Sequence, residues 1–512
     1  MAFDETGNLF NPDPRYTDQT YTCLRRILRY TSAQPLWSVF LSTQSNINFF
    51  TPSQSKDSSG RIQHGHLKRF DPFIGFERDL ELSRRLKTRE GFEAEIRRPL
   101  MQFATSDHIT MFGRPLWLAY KDTGYRRLIQ MAIFKLLCGE PDFETNNKNH
   151  VFAAIACRIS LSPCTQSIEA VEFAKESVNS HLRMLVGVNS RLGTIETVTP
   201  SEPLIAEAIT EVFSSNLALW SESINTLVSE LFSRGLIEKG LKGELYFRLV
   251  CILARDYALQ QEIRTASASV EFPWSRPFTV LDFLKALFRD TYHTVFNELR
   301  ENRNTRAQMP WKTIQEAFSG SLCNFTHFTT TDQTLQPEKM QDLLHALMMQ
   351  NAALQLAFNQ ADYDLLIPVY FGKANEAFDC EMLSAIVVQI KNQVKSTTPI
   401  LSKKNFTAYF TLEMPVLYIL ADLGVEGPSL SLCTASDTAQ VLGLHAKGHG
   451  TDILKCVGLT DGLAKECQRF FAQTASHLTP GQDKICQRNL GFRYHSWEER
   501  YPNMYRNLRN SN

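Results

Sequence analysis

ADYDLLIPVYFGKANEAFDCEMLSAIVVQIKNQ, residues 361–393, is the stretch whose reading decides the fold. Two apolar runs rich in β-branched residues flank a polar connection, the pattern of a β-hairpin. Asp364 opens the first run, and Gln389 and Lys391 close the second. Residues equidistant from the turn face each other in an antiparallel pair. The midpoint between Asp364 and Lys391 falls at Ala377 and Phe378, near the middle of the connection. A symmetric loop therefore brings the acid beside the amide and the ammonium. Strand period two puts Gln389 and Lys391 on one face, with Val388 and Ile390 on the other. Burying an unpaired Asp and Lys in an apolar hairpin is costly. Either the two pair as a structural bridge, or the group encloses a metal ion. Asp362 competes with Asp364 for the role, because residues two apart on a strand share a face.

Magnesium binds hard oxygens and commonly takes one or two carboxylates together with water and phosphate oxygens. A nearby lysine can orient the attacking water and stabilise charge on phosphate. On these residues the chain resembles the restriction-endonuclease-like, PD-(D/E)xK, superfamily of metal-dependent nucleases, whose core reads acid on a helix, Asp on a strand, then Glu-x-Lys or Gln-x-Lys. The resemblance implies that Asp364 and the Gln389 oxygen hold Mg²⁺ (or Mn²⁺) and that Lys391 positions the attacking water. It also implies that Glu244, in RGLIEKGLKGELYFRLVCILARD, assists from a helix through water or a second metal. Gln389 stands where Glu is commoner and brings no charge, which implies weaker metal affinity. RGLIEKG, FTVLDFLKALF, NFTHF, DLLIPVYF and AIVVQIKNQ together look like the nuclease-like proteins associated with fungal Crinkler-type effectors, over residues 230–420. FLSTQSNINFFTPS and MFGRPLW extend that likeness towards the N-terminus. In such proteins a regulatory NTPase-like part precedes the nuclease domain; the family's translocation segment has no match here.

The implied function is phosphodiester hydrolysis on nucleic acid, DNA before RNA. The alternative is a catalytically inactive nuclease-fold protein acting as an interaction or regulatory module. A third reading is a helical scaffold in which Asp364 and Lys391 only bridge.

A length of 512 residues exceeds one ordinary core, so two or three domains are expected. Apolar residues at 43% and charged residues at 21% describe a globular protein. Lys plus Arg equals Asp plus Glu at 54 each, so no global basic field advertises nucleic acid. Eleven cysteines scattered without a CxxC pair read as reduced thiols inside a cell. The acidic start lacks an apolar signal core, and runs such as MPVLYILADLG are too short to cross a bilayer. The triplets at Asn324 and Asn405 are therefore read as chance.

The expected fold is mixed α/β: a mainly helical N-terminal region followed by a restriction-endonuclease-like α/β core. Residues 1–78 carry a basic helix candidate, a strand from Trp37 to Leu41 and a polar loop. That strand ends in Ser42-Thr43-Gln44, weakly similar to the later half of a P-loop ATPase, yet no GxxxxGK[ST] occurs and nucleotide binding is unsupported. Residues 79–231 read as helices, including IEAVEFAKESVNSHLRMLVGV, with GRPLW as a corner between helices. The doubled arginines at 97–98 and 126–127 read as solvated helix faces before phosphate ligands. Residues 232–475 form the nuclease-like domain, opened by an amphipathic helix with Leu245, Leu249, Ile252 and Leu253 as its apolar stripe. Glu244 and Arg248, four apart, would make a helix ion pair in the bland reading. Asn324 and His327 either line the cleft or are satisfied within the fold, the second being favoured. His445 and His449 are a weak zinc pair, because Gly448 and Gly450 oppose a helix. Residues 476–512 form an Arg- and Tyr-rich tail, read as packing on the domain before stacking on nucleic acid. No internal repeat is evident.

Overall fold

The computed structural model describes residues 60–66, 78–164, 167–189, 194–239, 243–265, 270–299, 313–331, 333–357, 360, 362–396, 406–410, 413–433 and 440–474, with isolated positions before 60. The expected Ser42–Gln44 strand end and the tail 476–512 lie outside the described residues. The chain is mixed α/β, as expected. It divides into two compact units, each assembled from separate stretches of the chain.

One unit takes Ser162–Thr199 and Gly235–Ile237 with the described positions before 77. Ser167 caps helix Ile168–Ser180 by accepting the Ala170 amide. The helix expected to run on through HLRMLVGV stops there, because Leu182 takes a left-handed φ of 57°. Met184–Asn189 instead pairs antiparallel with Thr194–Val198, with a bulge between Leu185 and Gly187. Leu185 and Val188 already carried a strand signal that the helical period obscured. Arg183 fastens the hairpin through the Thr197 hydroxyl and carbonyl and the Thr199 hydroxyl.

The other unit takes the described parts of Glu77–Leu161, Pro200–Arg234 and the chain from Glu238 onward. Its helices are α1 (Leu80–Leu86), α2 (Arg89–Ile96), α3 (Tyr125–Leu136), α4 (Lys148–Ile159), α5 (Pro203–Ser215), α6 (Ala218–Thr226), α7 (Glu244–Thr265), α8 (Val280–Leu287), α9 (Met340–Met349) and α10 (Asp461–Thr474). Its strands are β1 (Phe278–Thr279), β2 (Leu322–Cys323), β3 (His327–Thr330), β4 (Ala352–Gln355), β5 (Leu365–Tyr370), β6 (Leu383–Lys391), β7 (Val416–Asp422), β8 (Ser429–Leu432) and β9 (Val441–Lys447). The expected hairpin is β5–β6, antiparallel, with Leu365 opposite Val388 and Tyr370 opposite Leu383. β6, β7 and β9 continue the sheet in parallel, and β8 closes its edge antiparallel to β9. On the other side of β5 lie β2 and β4, both antiparallel to it.

Pro368 sits mid-strand without breaking this sheet. Phe371 donates to Met382, so the odd-numbered residues of β5 face β6 with their amides and Pro368 faces away. On that side β4 pairs only as far as Leu366 and β2 begins at Val369. The missing N–H falls in the gap between two short strands.

One face of the sheet carries Leu354, Leu366, Val387, Tyr418 and Leu420, packed with α9, α1, α2 and Phe406 into one apolar cluster. The opposite face, with Ile367, Val388, Ile419 and Leu444, is buried too. Burial on both faces explains why these strands read as unbroken apolar runs. GRPLW is the expected corner: Gly113 has φ +85° and leads into a short helix holding buried Trp117. The Trp117 indole donates to Glu202 at 2.6 Å, and Arg114 pairs with the same carboxylate.

Helix α7 departs from the amphipathic expectation. The stripe of Leu245, Leu249, Ile252 and Leu253 is buried, but so are Tyr246, Val250, Cys251, Ala254 and Arg255. Such a helix is central to its unit. Arg158 of α4 and Arg255 of α7 both donate to Asp256 Oδ1, at 2.8 and 2.7 Å. They also donate to the Thr326 and Phe325 carbonyls just ahead of and within the turn into β3. Removing one partner from a buried charge group leaves the others uncompensated. Asp256→Ala is therefore expected to cost about 3–5 kcal/mol in urea unfolding, and Asp256→Asn, which keeps an acceptor oxygen, less.

Candidate active site at the strand ends

The apolar sheet turns polar at one end, where β4, β6, β7 and β9 finish and β5 starts. Asp364 immediately precedes β5. Its amide donates to Val388 at 2.8 Å, and its Oδ2 accepts the Ile390 amide at 2.5 Å. The β5–β6 register carried one step further sets Asp364 opposite Gln389, and Lys391 beyond the start of β5. The expected facing of Asp364 and Lys391 is thus shifted by two residues, because the connection centres on Glu376 and Ala377.

Gln389 and Lys391 are half-buried on one face, and Val388 and Ile390 are buried on the other, as the strand period requires. The Gln389 side-chain oxygen accepts the Tyr418 hydroxyl at 2.8 Å. Burial pushes the Tyr418 hydroxyl far above its ordinary range, and the nearby Cys433, Asp364 and Asp362 push it in the same direction. Both candidate carboxylates therefore stand near this phenol. Asp362 takes a left-handed φ of 73°, so it belongs to the turn before the strand.

Glu244 comes to the same end of the sheet from the other side. It opens α7, and its Oε2 accepts the Gln355 amide at 2.9 Å. Gln355 lies opposite Leu365, which lies opposite Val388, so this contact belongs to the face away from Gln389 and Lys391. The four expected residues thus resolve into Asp364, Gln389 and Lys391 on one side and Glu244 across the sheet. Arg248 does not leave the helix for solvent: it donates to the Ile159 and Ser160 carbonyls.

Two residues at this end had not been singled out. Tyr418 and Asp422 lie on β7, on the face of Gln389 and Lys391, and Asp422 is the register partner of Lys391. Asp422 is 0% exposed, and no hydrogen bond reaches either carboxylate oxygen. The available signal was an acid ending the apolar run VLYILAD, next to Leu-Gly. Among the described residues no group of three or more His, Cys, Asp or Glu stands ready to hold a metal ion.

The other candidates take structural places. His327 is buried, its ring nitrogens within 2.7 Å of the Ser201 hydroxyl and 2.8 Å of the Thr326 hydroxyl. Asn324 donates to Asn351 at 2.8 Å. His449 stacks on Phe471, and its Nδ1 meets the Leu423 carbonyl, whereas His445 lies within β9. Arg98 pairs with Glu95 and Asp107, and Arg126 and Arg127 are exposed on α3. No helix among the described residues is long and apolar enough to cross a membrane.

Residues 142–426, more than half of the chain, match the model of a family described as a domain of unknown function, DUF8736. The chain belongs to that family. No curated protein and no solved structure matches it. The DUF8736 span takes in Glu244, Asp364, Gln389, Lys391 and Asp422, and it stops before β8 and β9.

Burial holds His327 and His108 neutral in the fold, lowering each to about 3. In the unfolded chain they take up protons near pH 6.5. The unfolded state binds more protons between those values, so stability is full above pH 6.5 and falls as the pH drops towards 3. Urea unfolding at pH 7.5 and pH 5 is expected to differ by on the order of 2 kcal/mol for each such histidine, and His327→Gln should flatten the slope.

Proposed function

We propose that this protein is a Mg²⁺-dependent phosphodiesterase acting on nucleic acid, DNA first, through Asp364, Gln389 and Lys391. The observation that carries the reading is the meeting of these three side chains on one face, at the polar end of an otherwise apolar sheet. Open α/β sheets bind ligands outside the carboxyl ends of their parallel strands, which supports the location.

The residues fit a weakly held ion. Asp364 supplies a carboxylate, although its Oδ2 is engaged by the Ile390 amide, and Asp362 stands near the same phenol as a second. Gln389 already accepts the Tyr418 hydroxyl, which leaves the second lone pair of its oxygen for a metal ion. Mg²⁺ usually keeps several waters and needs few protein ligands. When bound, the ion would polarise the phosphate and its water. Lys391 would then hold a phosphate oxygen and orient the attacking water, and its half-buried position would strengthen that contact. Net charge is balanced overall, so affinity for the strand would rest on local contacts. We assign the protein to the cell interior, since all nine described cysteines are free thiols.

A second reading, a nuclease-fold interaction module without catalysis, is favoured by two contacts: the Gln389–Tyr418 hydrogen bond and the engagement of Glu244 with Gln355 on the far face.

Plasmid nicking by the purified chain in Mg²⁺ or Mn²⁺ separates the readings. Lys391→Ala should lower the nicking rate by about 100-fold or more while leaving the thermal melt nearly unchanged. Glu244→Gln should cut at a rate close to the parent's, since that carboxylate lies across the sheet. A Lys391→Ala variant as active as the parent removes the chemistry from this site. A parent that neither nicks nor gains stability from Mg²⁺ leaves the interaction module.

A further inference from the structure

The carboxyl ends of three parallel strands carry one polar row. Lys391 closes β6, Asp422 closes β7 and Lys447 closes β9, and each is the register partner of the next. Register partners on neighbouring strands face the same side, so the three side chains share the face of Gln389 and His445. Asp422 is buried and faces His445, with Nε2 at 3.5 Å from Oδ2, and it pairs with neither lysine. Both lysines are half-buried, and neither has an ion-pair or hydrogen-bond partner among the described residues. An ammonium held partly out of water without a counter-ion is costly. The charge of Lys447 is felt by its neighbour: burial first, and then this ammonium, lower the His445 imidazole from its ordinary range, with Asp422 opposing. Two unpartnered ammoniums thus flank one carboxylate that is already engaged below them.

We propose that Lys391 and Lys447 bind two phosphates of one nucleic-acid strand, laid across the ends of β6, β7 and β9. Neighbouring strands lie about 4.8 Å apart, so β6 and β9 are separated by about 9–10 Å. A single phosphate shared by both ammoniums would sit over Asp422, whose charge repels it. Two phosphates, one on either side, avoid that carboxylate, and a strand supplies them several ångströms apart. Lysine suits the task as a flexible point charge that holds phosphate without reading a base. Lys447 is thereby a substrate-binding residue outside the reacting group. The strand leaves Lys391 towards β9, away from Asp364 at the start of β5. The choice of nucleic acid as the ligand rests on the proposed reading of Lys391; the presence of two unpartnered cations in one row does not.

The test reads binding apart from cutting. The full chain, in EDTA, is titrated into a fluorescein-labelled DNA duplex, and anisotropy is followed across a range of salt concentrations. Lys447→Ala should weaken binding about tenfold at low salt and reduce the slope of log K against log salt by about 1, the mark of one lost phosphate contact. It should melt like the parent, because it removes no paired group. Lys447→Arg should restore the slope, whereas Lys135→Ala, which removes an exposed lysine of α3, should leave it unchanged. The inference is overturned if Lys447→Ala binds the duplex with the parent's slope, or if the parent does not bind it. A parent whose melt rises with pyrophosphate but which ignores the duplex holds a small phosphorylated ligand, and overturns it too. Duplex binding that depends on Lys447 in a chain that does not nick plasmid removes the hydrolytic reading and leaves this one.

Discussion

The pairing of Leu365–Tyr370 with Leu383–Lys391 is the contact on which the rest of the larger unit depends. Every residue of the first strand is buried, and the second is buried as far as Val388. A sheet apolar on both faces must be covered on both, and its polar groups can gather only where the ladder of hydrogen bonds runs out. Asp364 acts at that point as more than a charge. By accepting the Ile390 amide, it extends the hydrogen bonding of the hairpin past the last paired residue.

Helices on this sheet must also meet irregular backbone, and here the protein uses buried cations. The segment entering β3 presents the Phe325 and Thr326 carbonyls to α4 and α7, where apolar side chains would leave them unsatisfied. Arg158 and Arg255 reach them with planar, multiply donating groups, and Asp256 balances their charge. Glu202 does the same for the corner at Gly113, accepting from Arg114 and Trp117. These acids and bases organise local geometry, which is why so many arginines in this chain face inward.

At the polar end the two faces of the sheet carry different chemistry. Glu244 and Gln355 meet on one, whereas Asp364, Gln389, Lys391, Asp422 and His445 share the other. The strand period makes this separation strict, since adjacent residues cannot serve the same face. A hydrolytic site on the second face would draw its acids from Asp364, Asp362 or the β7 end before it drew on the helix.

The sequence alone determined the hairpin, its apolar faces and the shared side of Gln389 and Lys391, because these follow from strand periodicity and β-branched composition. It also pointed to the corner at GRPLW, and it favoured a satisfied place for His327 over one in the cleft; the Ser201 hydroxyl that meets the ring comes from far away in the chain. Only the tertiary structure decided that Glu244 approaches from the far face, that Asp422 lies beside Lys391, and that α7 is buried all round. Those facts depend on which strands become neighbours and which helix covers which side, and contacts between residues far apart in the chain leave no periodic trace in it.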